Sequence, residues 1–434
     1  MFKFKRAVMN LSTIDYLVIF MAIILQIHVN LFANGDYLGI RIGLADLFMP
    51  IIGIMVLISL IKNKSNWPQW SINKIYLWLA ALIFVMSVSL LNGYLTNGYL
   101  SKWAFINKYI GLFLLVSYMM LGGWIVTNAK DSLKILTLFS NVFTGFFSLT
   151  MLMSVITLFL QYFIPYPLWL PNYPWDGLMV NRNAFMVIFV MSLTLIIWSY
   201  KDDKIVMHPL VIKIFWLCLP IFLVFNDSRT GWLAFAALII VFFTKFPIKR
   251  ARKIIPLLLI GTLIAYSSYY VTTNKEVLRG TQMKYLIKII DNKEDSDLEY
   301  FGDQKRYVAV EDGLELYQEH NPIIGSGLGT YKPFQINKRG EFIDVIDFSG
   351  LWLLVETGIL GLSIFSAFFI ICAWSLYKTG FTKNHSNFHK SIFVFLIMFA
   401  FMSILHELIY TRALWFTVGL ALALNIKEKD TDNV

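Results

Sequence analysis

Long apolar runs, separated by short polar or Gly/Pro-marked breaks, fill most of the chain. A helix needs about 20 apolar residues to cross a hydrocarbon layer. Read on that scale, the runs predict about twelve spans. They lie at 14–33, 42–61, 75–91, 109–127, 135–163, 184–199, 211–225, 230–244, 254–271, 350–374, 392–407 and 413–426. The seventh and eighth are short and are divided only by Asn226-Asp227-Ser228-Arg229.

Residues 272–349 break the pattern by mixing acids, bases and turn residues over a length that could fold on its own. The first part, 274–303, reads as helical with an acidic stretch at 291–297, and a second helix is predicted over about 305–319 before a glycine-rich turn. The expected organisation is spans one to nine in 1–271, a loop subdomain in 272–349, and spans ten to twelve with a short tail in 350–434. No inverted repeat of the transporter type is evident.

Composition agrees with an all-α integral membrane protein: 58% of residues are hydrophobic, only 15% are charged, and the mean hydropathy is +0.65. The net charge of +10 could point to nucleic acid, but the charges lie between apolar runs rather than on one clustered face. Topology explains them better. About twenty Lys and Arg fall in alternate loops, against about six (Arg41, Lys102, Lys108, Arg182, Arg229 and Arg412) in the other short loops. Both termini are therefore expected in the cytoplasm and the 272–349 loop outside. Lys3, Lys5 and Arg6 precede a run long enough to be a retained anchor. Cys218 and Cys372 lie inside apolar runs and read as packing residues.

Charged groups at span ends are candidate chemistry. Four arginines fall on the expected outer side: Arg182, Arg229, Arg306 and Arg412. Guanidinium forks suit phosphate oxygens, and Arg182 and Arg229 precede helix amino ends, where unpaired N–H groups favour anions. The competing reading is interfacial anchoring. The most distinctive segment is His320-Asn321-Pro322-Ile323-Ile324-Gly325-Ser326-Gly327-Leu328-Gly329-Thr330-Tyr331. Its alternate glycines suit a loop lining a ligand, though turns use the same residues. No strand precedes it, so it is not a dinucleotide fingerprint.

This segment resembles the signature of the O-antigen ligase and polymerase superfamily, with shorter spacing between its two parts. Val180-Asn181-Arg182-Asn183, Ser228-Arg229-Thr230-Gly231-Trp232 and Glu356-Thr357-Gly358-Ile359-Leu360-Gly361 agree in order with that family. The resemblance implies a GT-C-like, metal-independent glycosyltransferase without cofactor in the bacterial cytoplasmic membrane. Its active site would be extracytoplasmic and its donor an undecaprenyl-pyrophosphate-linked oligosaccharide. It also implies the bilayer, a flippase and chain-length regulators as partners. Arg229 and Arg306 match the family's pyrophosphate arginines, with Arg182 and Arg412 as further candidates, and Asn321, Gly325, Gly327, Gly329 and Tyr331 form the expected substrate loop.

The ligases carry a histidine just before the tenth span, where this chain has Asp344-Val345-Ile346-Asp347. Asp347 is then the leading proton acceptor, with His320 and Glu356 behind it; its competing reading is a carboxylate at a helix amino end. His406-Glu407 reads as a structural pair near Arg412. The departure favours a Wzy-type polymerase of O-antigen, capsular or exopolysaccharide repeat units over a ligase. A lipid-linked oligosaccharide flippase or other transporter is the alternative from another class, and would place ionisable groups near the bilayer midplane.

Overall fold

The computed structural model describes residues 11–31, 40–163, 177–179, 181–199, 207–225, 231, 234–238, 248–273, 297–382 and 387–423. Its helices are α1 (Thr13–Ile24), α2 (Leu44–Ile61), α3 (Ile75–Asn97), α4 (Ala104–Asn128), α5 (Ser132–Phe163), α6 (Arg182–Ser199), α7 (Pro209–Phe225) and α8 (Ile248–Thr273). Then come α9 (Asp297–Glu319), α10 (Tyr331–Arg339), α11 (Ser349–Tyr377), α12 (Asn387–Ser403) and α13 (Arg412–Leu422). Five of them, α2, α3, α4, α5 and α11, are long and apolar enough to cross a membrane. The fold is that of an all-α membrane protein.

Each predicted span except 230–244 coincides with a helix, and 230–244 falls largely outside the described residues, as does 274–296. The first span is shorter than expected. α1 ends at Ile24, and β1 (His28–Leu31) pairs antiparallel with β2 (Ile40–Gly43), His28 opposite Gly43 and Leu31 opposite Ile40. Run length alone hides this break, because β-branched and apolar residues on a strand read like more helix. The amides of Leu25, Gln26 and Ile27 take the last carbonyls of α1, and strand pairing takes up the backbone groups of the residues beyond. The eleventh predicted span also ends early as helix: α12 stops at Ser403, which leaves His406 and Glu407 in the turn that follows.

α13 is the buried axis: every residue from Ala413 to Leu422 is buried. It meets α4 through glycines. A Cβ on Gly419 would lie 2.2 Å from the Met119 carbonyl oxygen, and one on Gly122 would lie 2.4 Å from that of Phe416. Without a hydrophobic drive between helices in lipid, such close backbone approach supplies the packing. Polar ties fix the two ends of the bundle. At one end Ser12 caps α1 through Asp15, which also takes Lys134 of α5 at 2.6 Å, and the Ser71 amide bonds the Leu422 carbonyl at 2.8 Å. The other end carries the glycine turn, β1, β2, and the amino ends of α2, α4, α6, α11 and α13.

Gly419→Ala is expected to force α4 and α13 apart at a cost of about 1–3 kcal/mol. Gly53→Ala, with nothing within 4 Å of the added Cβ, is expected to be silent. Thermal unfolding of the detergent-solubilised variants checks the pair.

Candidate functional site

The glycine turn is clasped between α3 and α11. Gly358 breaks α11 with φ 70°, and a Cβ there would fall 2.2 Å from the Ile323 carbonyl oxygen. The break frees backbone groups that the turn takes up: Ser326 N bonds Val355 O at 2.8 Å, Gly327 N bonds Glu356 O at 3.1 Å, and Ile359 N bonds Pro322 O at 2.9 Å. On the other side Leu328 N bonds Ser89 O at 2.9 Å, while Asn92 and Thr96 donate to the carbonyls of Gly325 and Ser326. Gly327, at φ 101°, lies so close to α3 that a Cβ would come within 2.1 Å of Gly93 N. Only glycine fits both that conformation and that gap.

Glu356 locks the clasp from below. Its side chain is buried, Oε1 accepts from Gly329 N at 3.1 Å, and Oε2 accepts from Trp352 Nε1 at 2.8 Å. The glycines expected to line a ligand pack against protein: Gly325 and Gly327 against backbone of α11 and α3, and Gly329 against the side chains of Ser101 and Ala104. Tyr331 is likewise buried, donating to Ala309 O at 3.1 Å. Asn321 is exposed, and its Oδ1 accepts from Ile323 N at 2.9 Å, a local turn bond. His320 caps the end of α9, with Nδ1 at 2.9 Å from Leu316 O.

α9 is fastened to α10 by charge. Buried Asp312 accepts a two-pronged bond from Arg339, the shorter contact 2.7 Å, with Lys338 at 3.0 Å and Gln335 at 3.1 Å. Gln335 also accepts from Ile343 N at 2.8 Å, which directs the following segment toward α11. The result places Arg306 of α9 against Asp347, Nε to Oδ2 at 3.2 Å, both partly exposed. The expected pyrophosphate arginine and the expected proton acceptor therefore meet.

The turn after α12 closes the other side. His406 is buried, its Nδ1 lies 3.1 Å from Asn183 Nδ2, and Ser349 Oγ donates to its carbonyl at 2.8 Å. Glu407 does not pair with His406; it forms an ion pair with Lys108 of α4. The Lys108 ammonium sits over the rings of Trp352, Trp103 and Tyr410, 4.2 to 4.8 Å from their centres. Such a cage compensates a buried cation.

The other arginines divide. Arg412 forks onto Asp46 of α2, the shortest contact 2.8 Å, and Tyr118 donates to the same carboxylate at 2.7 Å. Its charge ties α13 to α2 rather than standing apart for an anion. Arg182 opens α6, where Asn181 Oδ1 accepts from the Asn183 and Ala184 amides. Arg229 lies outside the described residues. Sequence reasoning passed over Asn183, although it sits in the quoted Val-Asn-Arg-Asn segment and meets His406. Asp312, Gln335 and Lys108 carried no signal beyond their residue type. Among the described residues no group of three or more His, Cys, Asp or Glu is placed to hold a metal ion.

Burial alone would raise the pKa of Asp312, but the bonds from Arg339, Gln335 and Lys338 bring it from the usual 3.8 down to about 2. A lowered carboxyl stabilises the folded state above its unfolded pKa and loses that contribution as pH falls through the folded one. The α9–α10 pair is therefore expected to stay docked down to about pH 4 and to loosen toward pH 2. Asp312→Asn is expected to speed hydrogen exchange of α9 and α10 amides about tenfold at neutral pH. Unchanged exchange would contradict this anchoring role.

No curated protein matches the chain. Residues 213–366, from α7 to the middle of α11, match the family model described as O-antigen ligase, in agreement with the resemblance that the motifs carry.

Proposed function

We propose that the chain polymerises undecaprenyl-pyrophosphate-linked oligosaccharide repeat units at the outer face of the bacterial cytoplasmic membrane, with both termini inside. The 272–349 segment would be extracytoplasmic and form one wall of the site. The observation that supports this most is the contact of Arg306 with Asp347 at the bundle end that also holds the amino end of α6 with Arg182. A cation for the leaving pyrophosphate and a carboxylate for the acceptor proton are needed side by side. In the reaction the acceptor hydroxyl oxygen attacks the anomeric carbon, and the bond to the pyrophosphate oxygen breaks with its electron pair. The hydroxyl proton passes to Asp347, while Arg306 and Arg229 balance the charge that develops on the pyrophosphate.

The Arg306–Asp347 bond gives the pair a second property. A pyrophosphate that engages Arg306 competes with Asp347 for the guanidinium, so donor binding weakens the cation's hold on the carboxylate and leaves it a better proton acceptor. The family description itself favours a second reading, a ligase that transfers the lipid-linked glycan to a different acceptor. The carboxylate in place of the ligase histidine favours polymerisation. A transporter fits less well, because Arg306 and Asp347, partly exposed at the bundle end, lie away from a midplane pathway.

Arg306→Ala is expected to reduce polymer at least about 100-fold while lipid-linked single repeats persist, and Arg306→Lys is expected to recover only part, since an ammonium lacks the fork. Arg412→Ala is expected to lower protein abundance instead, with turnover per molecule retained, because its guanidinium is engaged by Asp46. Glycan gels normalised to protein level separate these outcomes; full polymer length in Arg306→Ala would remove the pyrophosphate assignment. Asp347→Asn with undiminished activity would remove the carboxylate from the proton-accepting role.

A further inference from the structure

Pro322 and Ile323 form an exposed apolar tip between the end of α9 and the glycines, Ile323 at 59%. The tip is not loose. Ile323 N donates to Asn321 Oδ1 at 2.9 Å and its carbonyl accepts from Leu360 N at 3.0 Å, so the backbone keeps the side chain in a fixed place. Ile359 and Leu360, the α11 residues that bond the tip, are exposed too, Ile359 at 51%. The tip thus continues the exposed apolar surface of a helix long enough to span.

Two helices measure how deep it lies. α3 begins after Lys74 and α11 runs into Lys378, and a bond of 2.8 Å between Ser71 Oγ and Ser375 Oγ sets these two ends level. Trp374 and Tyr377 stack there, with Lys378 over the Trp374 ring, the aromatic and basic belt of a membrane surface. Gly93, which touches Leu328 of the turn, lies nineteen residues from Lys74, and Ile359 lies nineteen from Lys378, so each helix rises about 28 Å to the turn. A hydrocarbon layer is about 30 Å thick, which puts the tip at its outer edge. The polarity of the chain changes at the same point, from exposed Glu319 and Asn321 to Pro322 and Ile323.

Backbone pairing fits that depth. The amides of Ile323, Gly325, Ser326, Gly327, Leu328 and Gly329 all donate within the protein, Pro322 has none, and the carbonyls of Pro322, Ile323, Gly325 and Ser326 all accept. Irregular backbone is tolerated at membrane depth only when its polar groups are satisfied without bulk water. A turn in water needs no such completeness. We infer that the Pro322–Ile323 tip is seated in the outer leaflet of the bilayer, with the Ile323 side chain among the acyl chains. There it anchors the end of α9, and with it the 297–349 segment, to the membrane surface. The anchor stands apart from the transfer chemistry above and needs only that α3 and α11 span.

The test uses the full-length chain in lipid nanodiscs. Cys218 and Cys372 are buried, so a nitroxide label goes to one introduced cysteine at a time: Ile323→Cys, Glu319→Cys as the aqueous reference, and Ile370→Cys, exposed on α11, as the lipid reference. The label at position 323 is expected to show a ratio of oxygen to nickel-chelate accessibility at least about threefold above that at 319, because oxygen concentrates in the apolar layer. A ratio equal to that at 319 places the tip in water and overturns the inference. A label shielded from both collision partners marks a protein contact and overturns it too. On the unaltered chain, a phospholipid with a photoreactive diazirine on its acyl chain is expected to modify the peptide that carries Pro322 and Ile323. Modification of α11 without the tip overturns the anchor independently of any variant. None of these readouts depends on polymer formation.

Discussion

The clasp of the glycine turn into the break of α11 is the constraint on which the rest of the site depends. Gly327 and Gly358 let three backbones lie closer than any side chain would allow, and the Glu356 carboxylate holds the far end of the turn. The turn follows directly on α9 and precedes α10, so fixing it fixes the line of α9 over the bundle end. Arg306 reaches Asp347 only because that line is fixed. A chain with the same arginine and a looser turn would carry the charge without the geometry.

An apolar bundle treats each charge as a cost to be compensated locally, and the compensations differ. Arg412 has Asp46 and Tyr118, Lys108 has Glu407 and a ring cage, and Asp312 has Arg339, Lys338 and Gln335. These groups join helices. Arg306 and Asp347 differ in being a partly exposed pair, with side chains 41% and 26% exposed. Less burial means a smaller penalty for exchanging partners, which is the property an anion site needs. The arginines equal in the sequence are therefore unequal in the fold.

The helices were legible because a membrane span is encoded in run length, and about 20 apolar residues leave few alternatives. What run length misses is where a run stops being helix. Residues 28–31 fall inside the first apolar run, and only strand pairing with 40–43 shows that they are not helix; His406 and Glu407 sit inside an apolar run and yet follow the end of α12. The glycine signature marked a place of close approach, but three glycines say nothing of what approaches: α11 meets Gly325, α3 meets Gly327, and Ser101 and Ala104 meet Gly329. Asp347 is a candidate by its position before α11 alone, whereas its contact with Arg306 depends on Asp312, Gln335 and the α10 turn. Long-range ties of that kind leave no periodic trace in a sequence.

If the bundle end is a transfer site, the purified chain needs only its lipid-linked repeat unit to act. Incubating it in nanodiscs with the undecaprenyl-pyrophosphate-linked repeat and resolving the products by gel tests this most directly. A ladder spaced by one repeat unit is expected, with undecaprenyl pyrophosphate released in step with chain growth. Release without any ladder, or transfer only to a second lipid class, would contradict polymerisation.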